Sequence, residues 1–313
     1  MDEIKFENSL GEHEKSAELK KYTTIGLGGN ARYLVVARDL KQLINAVSAA
    51  RSLAVGYRVI GFGSNLLISD RGFDGLIIVN RANSIQVDKS KGVVIAEGGA
   101  PLSKMILEAA SQGLSGCESM FGIPGTVGGA ICVNAGAHNE AISKYLKSAT
   151  IMFSSDKIVS VESGWFDFKY RASKLKYKKE EFPPVILSAI FQFQQKRVED
   201  ALGEISKYKS WREKTQPIGE KTCGSVFRNP SGSDKNEEEE KEKTAGYLLD
   251  QSGAKKLKVG SMKVSKKHAN WIINDGRGTA YDARQLIESM RQAVSDKYSV
   301  SLEEEIEYLG DWT

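Results

Sequence analysis

Apolar residues recur with two different spacings in the first part of the chain. Residues 31–37 form a short apolar run, and residues 58–61 and 75–80 form two more, which predicts three strands. Between residues 40 and 51 the apolar positions return every three or four residues, which predicts a helix with one buried face. Residues 1–81 are therefore expected to form a small α/β unit.

A second region, residues 82–199, is predicted to carry more strands than helices. A helical pattern at 101–112 begins at Pro101 and stops before Gly113, and these residue types favour a helix start and a helix end. Strands are predicted from the patterns at 84–87, 92–97, 149–153, 157–162 and 184–194.

The third region, residues 200–313, is predicted to hold helices at 200–215, 244–252 and 283–298 and a strand at 271–274. Residues 231–243 read SGSDKNEEEEKEK, a composition typical of a flexible surface loop. A binding site for a basic partner and a lid are the alternatives for this segment. The last helix has apolar residues at helical spacing, which indicates a core face and not a cofactor site: Leu286, Ile287, Met290, Ala293 and Val294.

Composition narrows the class of protein. With 41% hydrophobic and 27% charged residues, the 313-residue chain is expected to be globular and soluble. A formal net charge of +4 does not require a nucleic-acid partner and suits an anionic substrate. Three cysteines without metal-ligand spacing predict a reducing compartment and no metal. The polar amino terminus and the absence of a long apolar run predict a cytoplasmic protein with no membrane span, or an organelle stroma if a targeting segment has been removed.

Glycines are concentrated in four loops between residues 61 and 137. Glycine lets backbone amides approach an anion closely, so several such loops predict a long ligand held by the backbone, such as a dinucleotide. The loop at 61–66 follows a predicted strand but lacks the third glycine of the dinucleotide fingerprint. The loop at 97–100 precedes a predicted helix, so its amides are expected to face a phosphate. The other two loops are 122–130 and 134–137.

Three segments that contain these loops, YTTIGLGGNARYLV, GFGSNLLISDRGFDG and GIPGTVGGAICVNAGA, resemble the FAD-binding half of the UDP-N-acetylenolpyruvoylglucosamine reductases. The resemblance covers about residues 22–310 and implies an α+β fold. A two-part FAD-binding region of the vanillyl-alcohol-oxidase-like superfamily (1–81 and 82–199) would precede an α/β substrate-binding domain (200–313). The resemblance implies non-covalent FAD at Tyr22, Gly61, Gly63, Ser64, Asn65, Leu66, Gly98, Gly99, Gly122, Ile123, Pro124, Thr126, Val127, Gly128, Gly129, Asn134, Gly136, Ala137 and Arg228.

The resemblance also implies a reaction, the NADPH-dependent reduction of UDP-N-acetylglucosamine enolpyruvate to UDP-N-acetylmuramate for peptidoglycan synthesis. Ser225, in CGSVFRNP, matches the serine of the family's GSVFKNP motif, which gives a proton to C2 of the substrate. Arg171, in FKYRAS, matches the YR-x-S motif, and a guanidinium suits the enolpyruvyl carboxylate because it can bind both oxygens.

The third catalytic position lies in the run LEEEIEYLG, which matches the family's L-E-P-E-V-R pattern. Alignment on Leu302 and Gly310 places the catalytic glutamate at Glu305, and a register shifted by one residue is the alternative. Glu304 stands where the family has Pro, and Glu307 stands where it has Arg. Strand alternation would put residues 303, 305 and 307 on one face, which favours Glu305.

Substrate contacts are implied for Tyr170, Arg212, Asn229 and His268, although a lone histidine has a structural role as its alternative. In WREKTQP, Trp211 and Thr215 replace residues of the family's RRExKQP, so diphosphate binding there rests on Arg212. Residues 171–185 leave no room for the tyrosine loop of one family subtype, so the chain resembles the other. The expected partner is a small UDP-sugar, with no nucleic acid and no membrane, bound by a monomer.

Two further hypotheses remain from the sequence. One is an FAD oxidase or dehydrogenase of an alcohol or hydroxy acid, a class that often attaches FAD covalently, with His138 or Cys117 nearby. The other is a degenerate flavin-binding protein, which the substitutions at Trp211, Thr215 and Glu307 suggest. The GSVFRNP segment favours the reductase over the first, and Arg171, Ser225 and Glu305 favour it over the second.

Overall fold

The computed structural model describes residues 3–177, 182–230 and 244–313. The acidic segment 231–243 lies outside these residues, so its alternatives stay open. The helices are α1 (Glu3–Leu10), α2 (Leu40–Ser52), α3 (Leu102–Ser111), α4 (Val127–Cys132), α5 (Lys174–Tyr177), α6 (Val198–Thr215), α7 (Ala245–Gln251) and α8 (Ala280–Tyr298). The strands are β1 (Glu14–Glu18), β2 (Asn30–Ala37), β3 (Tyr57–Ile60), β4 (Leu66–Ile68), β5 (Phe73–Asn80), β6 (Ile85–Asp88), β7 (Val93–Glu97), β8 (Leu114–Ser115), β9 (Gly136–Ala137), β10 (Glu140–Ala141), β11 (Leu146–Ser154), β12 (Lys157–Glu162), β13 (Val185–Gln192), β14 (Gln194–Gln195), β15 (Lys258–Val259), β16 (Met262–Val264), β17 (Ile272–Asn274) and β18 (Glu307–Leu309).

The chain forms two compact units, and neither is continuous in sequence. The first unit comprises Met1–Ala17, Arg32–Phe62 and Gly75–Ser210. The second comprises Glu18–Ala31, Gly63–Asp74 and Trp211–Thr313. Residues 1–81 therefore contribute to both units, while the three-region division drawn from the sequence remains a prediction.

In the first unit, a four-stranded sheet has the order β1-β2-β5-β3, with β3 and β5 parallel. Helix α2 begins where the side chain of Asp39 accepts the amide of Gln42, a favourable N-cap. The apolar spacing along α2 then buries Leu43 and Val47 in one core with Leu76 and other residues of β5. Strand β3 ends at Ile60, directly before the loop that begins with Gly61.

A second sheet of the first unit is antiparallel throughout, in the order β12-β11-β13-β7-β6. It shares a core with α3, which buries Leu102, Met105 and Ile106 along one face. Strand β7 runs directly into the glycine loop at 97–100, and the core thereby fixes the position of that loop.

In the second unit, the antiparallel sheet β15-β16-β17 shares a core with α7 and α8. Strand β4 pairs in parallel with β18, so that Leu66 lies opposite Glu307. Thr279 and Asp282 form a capping box in which each side chain accepts the other's backbone amide, at 3.0 Å and 3.2 Å. This cap starts α8 at Ala280, three residues before the predicted start.

Most predicted elements are confirmed to within about two residues, because each has a clear local period. On α8, Leu286, Ile287, Met290 and Val294 are buried as predicted, but Ala293 is only partly buried. Helix α1 and strand β1, which are rich in charged residues, were not predicted, and neither was the three-residue strand β18. No helix in the described ranges is both long and apolar enough to cross a membrane. The same ranges hold no group of three or more His, Cys, Asp or Glu side chains arranged to bind a metal.

Candidate active site

In the first unit, Gly61 and two of the glycine loops, 97–100 and 122–130, pack together. The amide of Gly128 donates to the carbonyl of Gly98 at 2.8 Å, and a Cβ atom built on Gly128 would lie 2.9 Å from the same oxygen. A Cβ atom on Gly61 would lie 2.6 Å from the hydroxyl of Thr126. Side chains would therefore prevent these close approaches, which is the physical reason for glycine at both positions.

The loop 122–130 is more regular than the sequence indicated. It was expected to be a glycine loop throughout, but residues from Val127 onward form the short helix α4. Thr126 begins that helix, since its hydroxyl accepts the amide of Gly129 at 3.3 Å. Pro124 and Gly129 stay exposed and are accessible to a ligand.

The loop 97–100 does not direct its amides as the sequence analysis expected. The amide of Gly98 donates to Leu187, and that of Ala100 donates to Glu97, so both hydrogen bonds are made within the protein. The expectation that these amides face a phosphate is therefore wrong for Gly98 and Ala100. Gly98 and Gly99 instead allow neighbouring backbone to pack closely, because a Cβ atom on either would lie 2.5 Å from a carbonyl oxygen.

Arg171 is hydrogen-bonded to the fourth glycine loop. Its guanidinium donates to the carbonyl of Gly136 at 2.6 Å, and the side-chain amide of Asn134 donates to the carbonyl of Lys169 at 2.9 Å. Arg171 sits in a tight turn with φ +54°, and its guanidinium lies over the ring of Tyr170 at 5.6 Å from the centroid. A non-glycine residue at positive φ is uncommon and is held there by its surroundings. These two hydrogen bonds fix the predicted catalytic arginine against a predicted FAD loop.

In the second unit, Gly63 begins the loop that carries Ser64 and Asn65. Gly63 has φ +63°, and a Cβ atom on it would lie 2.2 Å from the carbonyl oxygen of Tyr22. Thr24 also donates its amide to the carbonyl of Gly63. Tyr22 and Gly63, both predicted to bind FAD, are therefore in direct contact, and only glycine permits that contact.

Glu305 links the same loop to the segment of Ser225. Its backbone amide donates to the carbonyl of Val226 at 2.7 Å. Its backbone carbonyl accepts the side-chain amide of Asn65 at 3.1 Å. The backbone of Glu305 thus bonds to the segment of Ser225 through its amide and to the loop of Asn65 through its carbonyl, and the alternation expected across residues 303–307 stays a prediction.

Ser225 lies in a segment that pairs with other parts of the backbone on both sides. It forms an isolated antiparallel bridge with Trp271, and Phe227 forms another with Glu304. The preceding Gly224 has φ +79°, and its Cβ position would lie 3.5 Å from the carbonyl oxygen of Ser64. The predicted proton donor is therefore adjacent to the predicted FAD loop within one unit.

Two of the neighbouring glutamates are engaged in ion pairs. Glu304 pairs with Arg291, whose guanidinium lies over the ring of Phe227. Glu303 pairs with Arg228 at 3.4 Å, although the Glu303 side chain is largely exposed. Glu303 and Glu304 are thus both in ion pairs, and the assignment of the catalytic glutamate to Glu305 stays a prediction.

Two of the residues predicted to contact the substrate, Asn229 and Arg212, have different surroundings. The side-chain oxygen of Asn229 accepts the amide of Ala245 at 3.1 Å, at the start of α7. Near the end of α6, Arg212 is 6% exposed and donates to Gln216, whereas Trp211 is 40% exposed. The arginine of this segment is therefore buried, and the tryptophan that replaces the family's arginine faces solvent.

His268 is largely buried in the second unit and forms a hydrogen bond there. Its Nδ1 accepts the amide of Asn270 at 3.3 Å, which requires that this nitrogen carry no proton. Burial, together with the charge of Lys255, lowers the pKa of His268 to about 4. Gly246 makes room for the ring, because a Cβ atom there would lie 2.9 Å from it. A substrate contact through His268 remains a prediction.

The residues fit a flavin that is held without a covalent bond. Side chains are sterically excluded at Gly61 and Gly63, so a dinucleotide at these positions would meet backbone atoms. Cys117 is 1% exposed, and burial raises the pKa of its thiol well above the ordinary value, which disfavours the reactive thiolate. His138 occupies a turn and packs its ring 5.0 Å from that of Tyr208.

Asn270 is a residue of the site that the sequence analysis did not single out. It is 4% exposed, and its carboxamide binds the backbone of Phe227, two residues after Ser225. The available signal was an amide side chain between two apolar residues, Ala269 and Trp271, directly before the predicted strand 271–274. Such a group must find hydrogen-bond partners, because an unsatisfied buried amide is costly.

Comparison with known proteins identifies relatives over nearly the whole chain. Residues 216–309 match the family model described as UDP-N-acetylenolpyruvoylglucosamine reductase, C-terminal domain, and residues 31–162 match that of an FAD binding domain. The UDP-N-acetylenolpyruvoylglucosamine reductase of Caldicellulosiruptor saccharolyticus is 34% identical, over 99% of this chain and 97% of its own. That of Bacillus subtilis is 33% identical, over 97% and 96%. The crystal structure of the enzyme from Thermus caldophilus superposes with a TM-score of 0.76 at 30% identity, over 95% of this chain and 98% of that one.

Proposed function

Because the chain belongs to the UDP-N-acetylenolpyruvoylglucosamine reductase family, we propose that it reduces UDP-N-acetylglucosamine enolpyruvate to UDP-N-acetylmuramate, with FAD as cofactor and NADPH as reductant. The observation that carries the proposal is the position of Glu305. Its amide is bonded next to Ser225, and its carbonyl is bonded to Asn65 of the predicted FAD loop. Ser225 and Glu305, two of the three proposed reacting residues, thus lie in the second unit together with Asn65 of the predicted FAD loop.

FAD, when bound and reduced, supplies a hydride to C3 of the enolpyruvyl group. The residues of the loops 61–66, 122–130 and 134–137 would hold FAD chiefly through backbone atoms. The chain's own task is to stabilise the negative charge that develops toward the carboxylate and to deliver one proton to C2.

Ser225 delivers that proton from its hydroxyl. A serine hydroxyl is a weak acid, so it serves only if its position relative to C2 is well defined. The bridge to Trp271 on one side and the Val226–Glu305 hydrogen bond on the other hold the backbone of the Ser225 segment in place.

Arg171 binds the carboxylate of the enolpyruvyl group. A guanidinium can donate two parallel hydrogen bonds to a carboxylate, and such charge-assisted bonds strengthen as negative charge accumulates. The hydrogen bond to Gly136 and the strained turn hold the guanidinium in place before substrate binds. The side chain of Arg171 therefore loses less conformational freedom when substrate binds, and its guanidinium is already placed to stabilise the transition state.

Glu305 serves as an acid that hydrogen-bonds the enol or orients the substrate beside Ser225. Its neighbours Glu303 and Glu304 are held by arginines in the second unit. Tyr170, Arg212, Asn229 and His268 complete the proposal as residues that contact the UDP-sugar. We further propose that the protein acts in the cytoplasm as a monomer on this small molecule.

Anaerobic mixing tests the function in two steps. NADPH should bleach the flavin absorbance of the purified protein, and UDP-N-acetylglucosamine enolpyruvate should then restore it. Bleaching without restoration would exclude the reductase and leave a flavin-binding protein without turnover. Bleaching by an alcohol or hydroxy acid in place of NADPH would indicate an oxidase or dehydrogenase.

Ser225→Ala provides the matched variant for this experiment. Reduction of its flavin by NADPH should proceed normally, whereas reoxidation by the enolpyruvyl substrate should fall by about 10²–10⁴-fold, the usual contribution of a positioned acid. Equal losses in both steps would show that Ser225 is structural.

A further inference from the structure

Asn270 lies beside the Ser225 segment and binds it through three hydrogen bonds. The amide of Val226 donates to the backbone carbonyl of Asn270 at 2.9 Å. The amide of Phe227 donates to the side-chain oxygen of Asn270 at 3.0 Å, and the side-chain nitrogen returns a hydrogen bond to the carbonyl of Phe227 at 2.7 Å. A carboxamide has the donor and acceptor of a peptide group, so Asn270 replaces the neighbouring strand that Phe227 would otherwise require.

The surroundings of Asn270 leave no simple substitute for an asparagine. Phe227 is 1% exposed and Asn270 is 4% exposed, so water cannot readily replace either side-chain hydrogen bond. Alanine would supply neither the donor nor the acceptor. The backbone of Asn270 is itself fixed, since its amide donates to His268 and the next amide, that of Trp271, donates to the carbonyl of His268.

We propose that Asn270 is a positioning residue that aligns the hydroxyl of Ser225 for proton delivery. Asn270 holds the two residues that follow Ser225, while Glu305 holds the same segment through the carbonyl of Val226. This inference rests on the proposed function, because alignment of Ser225 matters to catalysis only if that hydroxyl is the proton donor. Misplacement of a reacting group by about 1 Å can cost about 100-fold in rate.

The chain offers a matched control in Asn274. It is also 4% exposed, and its side chain also both donates and accepts, to Ile25 at 3.0 Å and from Gly276 at 2.9 Å and Gly278 at 3.0 Å. None of these partners belongs to the Ser225 segment. Asn270→Ala and Asn274→Ala therefore remove comparable buried hydrogen bonds, but only the first releases Ser225.

The experiment follows both half-reactions anaerobically in the FAD-bound protein, in H2O and in D2O. Asn270→Ala should leave flavin reduction by NADPH near the wild-type rate and slow reoxidation by UDP-N-acetylglucosamine enolpyruvate by about 100-fold. Its solvent isotope effect on reoxidation should rise, because proton transfer then limits the step. Asn274→Ala should retain the wild-type isotope effect and the wild-type ratio of the two rates.

Non-additivity gives a second test. If Asn270 acts through Ser225, Asn270→Ala should cause no further loss of reoxidation in a Ser225→Ala background. Additive losses, or equal slowing of both half-reactions in Asn270→Ala, would show a general structural role and overturn the inference. If Asn270→Ala does not fold, Asn270→Ser takes its place under the same criteria.

Different results in these experiments would contradict the proposed function, the role of Ser225 and the role of Asn270. A wild-type flavin that the enolpyruvyl substrate does not reoxidise contradicts the function. Normal reoxidation by Ser225→Ala contradicts the role of that hydroxyl. If the wild type and Ser225→Ala behave as expected but Asn270→Ala behaves like Asn274→Ala, only the inference about Asn270 is wrong.

Discussion

The side-chain amide of Asn65 donates a hydrogen bond to the backbone carbonyl of Glu305, at 3.1 Å and across 240 residues of sequence. The backbone carbonyl of Asn65 in turn accepts the amide of Glu307 at 2.9 Å. These two bonds extend the parallel pairing of β4 and β18 by one residue toward the FAD loop. Position 65 therefore joins the run 303–307, predicted to hold the catalytic glutamate, to the predicted FAD loop.

Asn65→Ala should destabilise the protein by about 1 kcal/mol and slow flavin reoxidation more than flavin reduction. It removes the donor that holds the carbonyl of Glu305, and a typical buried hydrogen bond contributes about 0.5–1.5 kcal/mol. Chemical denaturation and anaerobic rapid mixing measure the two effects. Asn65→Asp, of the same size but without the amide donor, should be impaired at least as much as the alanine variant, because its carboxylate would face the carbonyl oxygen of Glu305. Wild-type reoxidation by Asn65→Asp would show that this hydrogen bond is dispensable.

Single Glu→Gln changes at 303, 304 and 305 should separate catalysis from stability. Glu305→Gln should slow substrate reoxidation of the flavin by about 100-fold or more if the carboxyl acts in proton transfer. Glu304→Gln should chiefly lower stability, because it weakens the partly buried pair with Arg291. Glu303→Gln should do little to stability, because its side chain is 73% exposed and surface pairs contribute little. The largest catalytic loss at 304 would instead establish the shifted register.

Gly63→Ala should abolish the yellow, FAD-bound protein or lower its folded yield severely. The new methyl group would lie 2.2 Å from the carbonyl oxygen of Tyr22, and φ +63° is strained for alanine. Flavin content per protein and the thermal unfolding midpoint measure the outcome. Gly203→Ala is the control, since it lies in α6 with no atom within 4 Å of the added Cβ, and alanine in a helix should stabilise by up to about 1 kcal/mol. Normal FAD content in Gly63→Ala would contradict the contact with Tyr22.

Protein stability should fall in acid because His268 is held neutral. Its pKa is about 4 in the folded protein, against an ordinary value of 6.5. Below pH 6.5 the unfolded chain gains a proton that the folded one does not, so this contribution is complete above about pH 6.5 and is lost as the pH falls toward 4. The loss should not exceed about 3 kcal/mol. Denaturation between these pH values should show a shallower dependence in His268→Gln, and an unchanged slope would assign the effect to other groups.

Local patterns were sufficient to predict most of the fold. Helices α2 and α3 and strand β12 have clear periods and boundaries set by their own residues, so their predicted ends are accurate to about one residue. Strand β18 has no such pattern, because Glu307 and Tyr308 become a strand only through pairing with β4. Tertiary pairing of this kind involves residues too distant in sequence for a local period to reveal.

In the candidate site, too, local sequence motifs predicted some features, whereas features that depend on tertiary packing were not predicted. Resemblance identified Arg171 and Ser225 through short motifs, without any information about what holds them. The hydrogen bond from Arg171 to Gly136 joins two segments whose approach depends on the folded first unit. Asn270 was not predicted, because its side chain binds backbone groups of Phe227, and the sequence does not show that these two residues are adjacent.

The pairing of Asn65 with Glu305 also sets the timing of folding during synthesis. The two residues leave the ribosome about 240 positions apart, which corresponds to about 12–50 s at typical rates of elongation. Throughout that interval the nascent chain carries the loop 63–66 without the strand against which it finally lies. Completion of this loop is therefore among the last events in the biogenesis of the protein, and premature termination before residue 305 would leave a chain that has every glycine loop but an unfinished second unit.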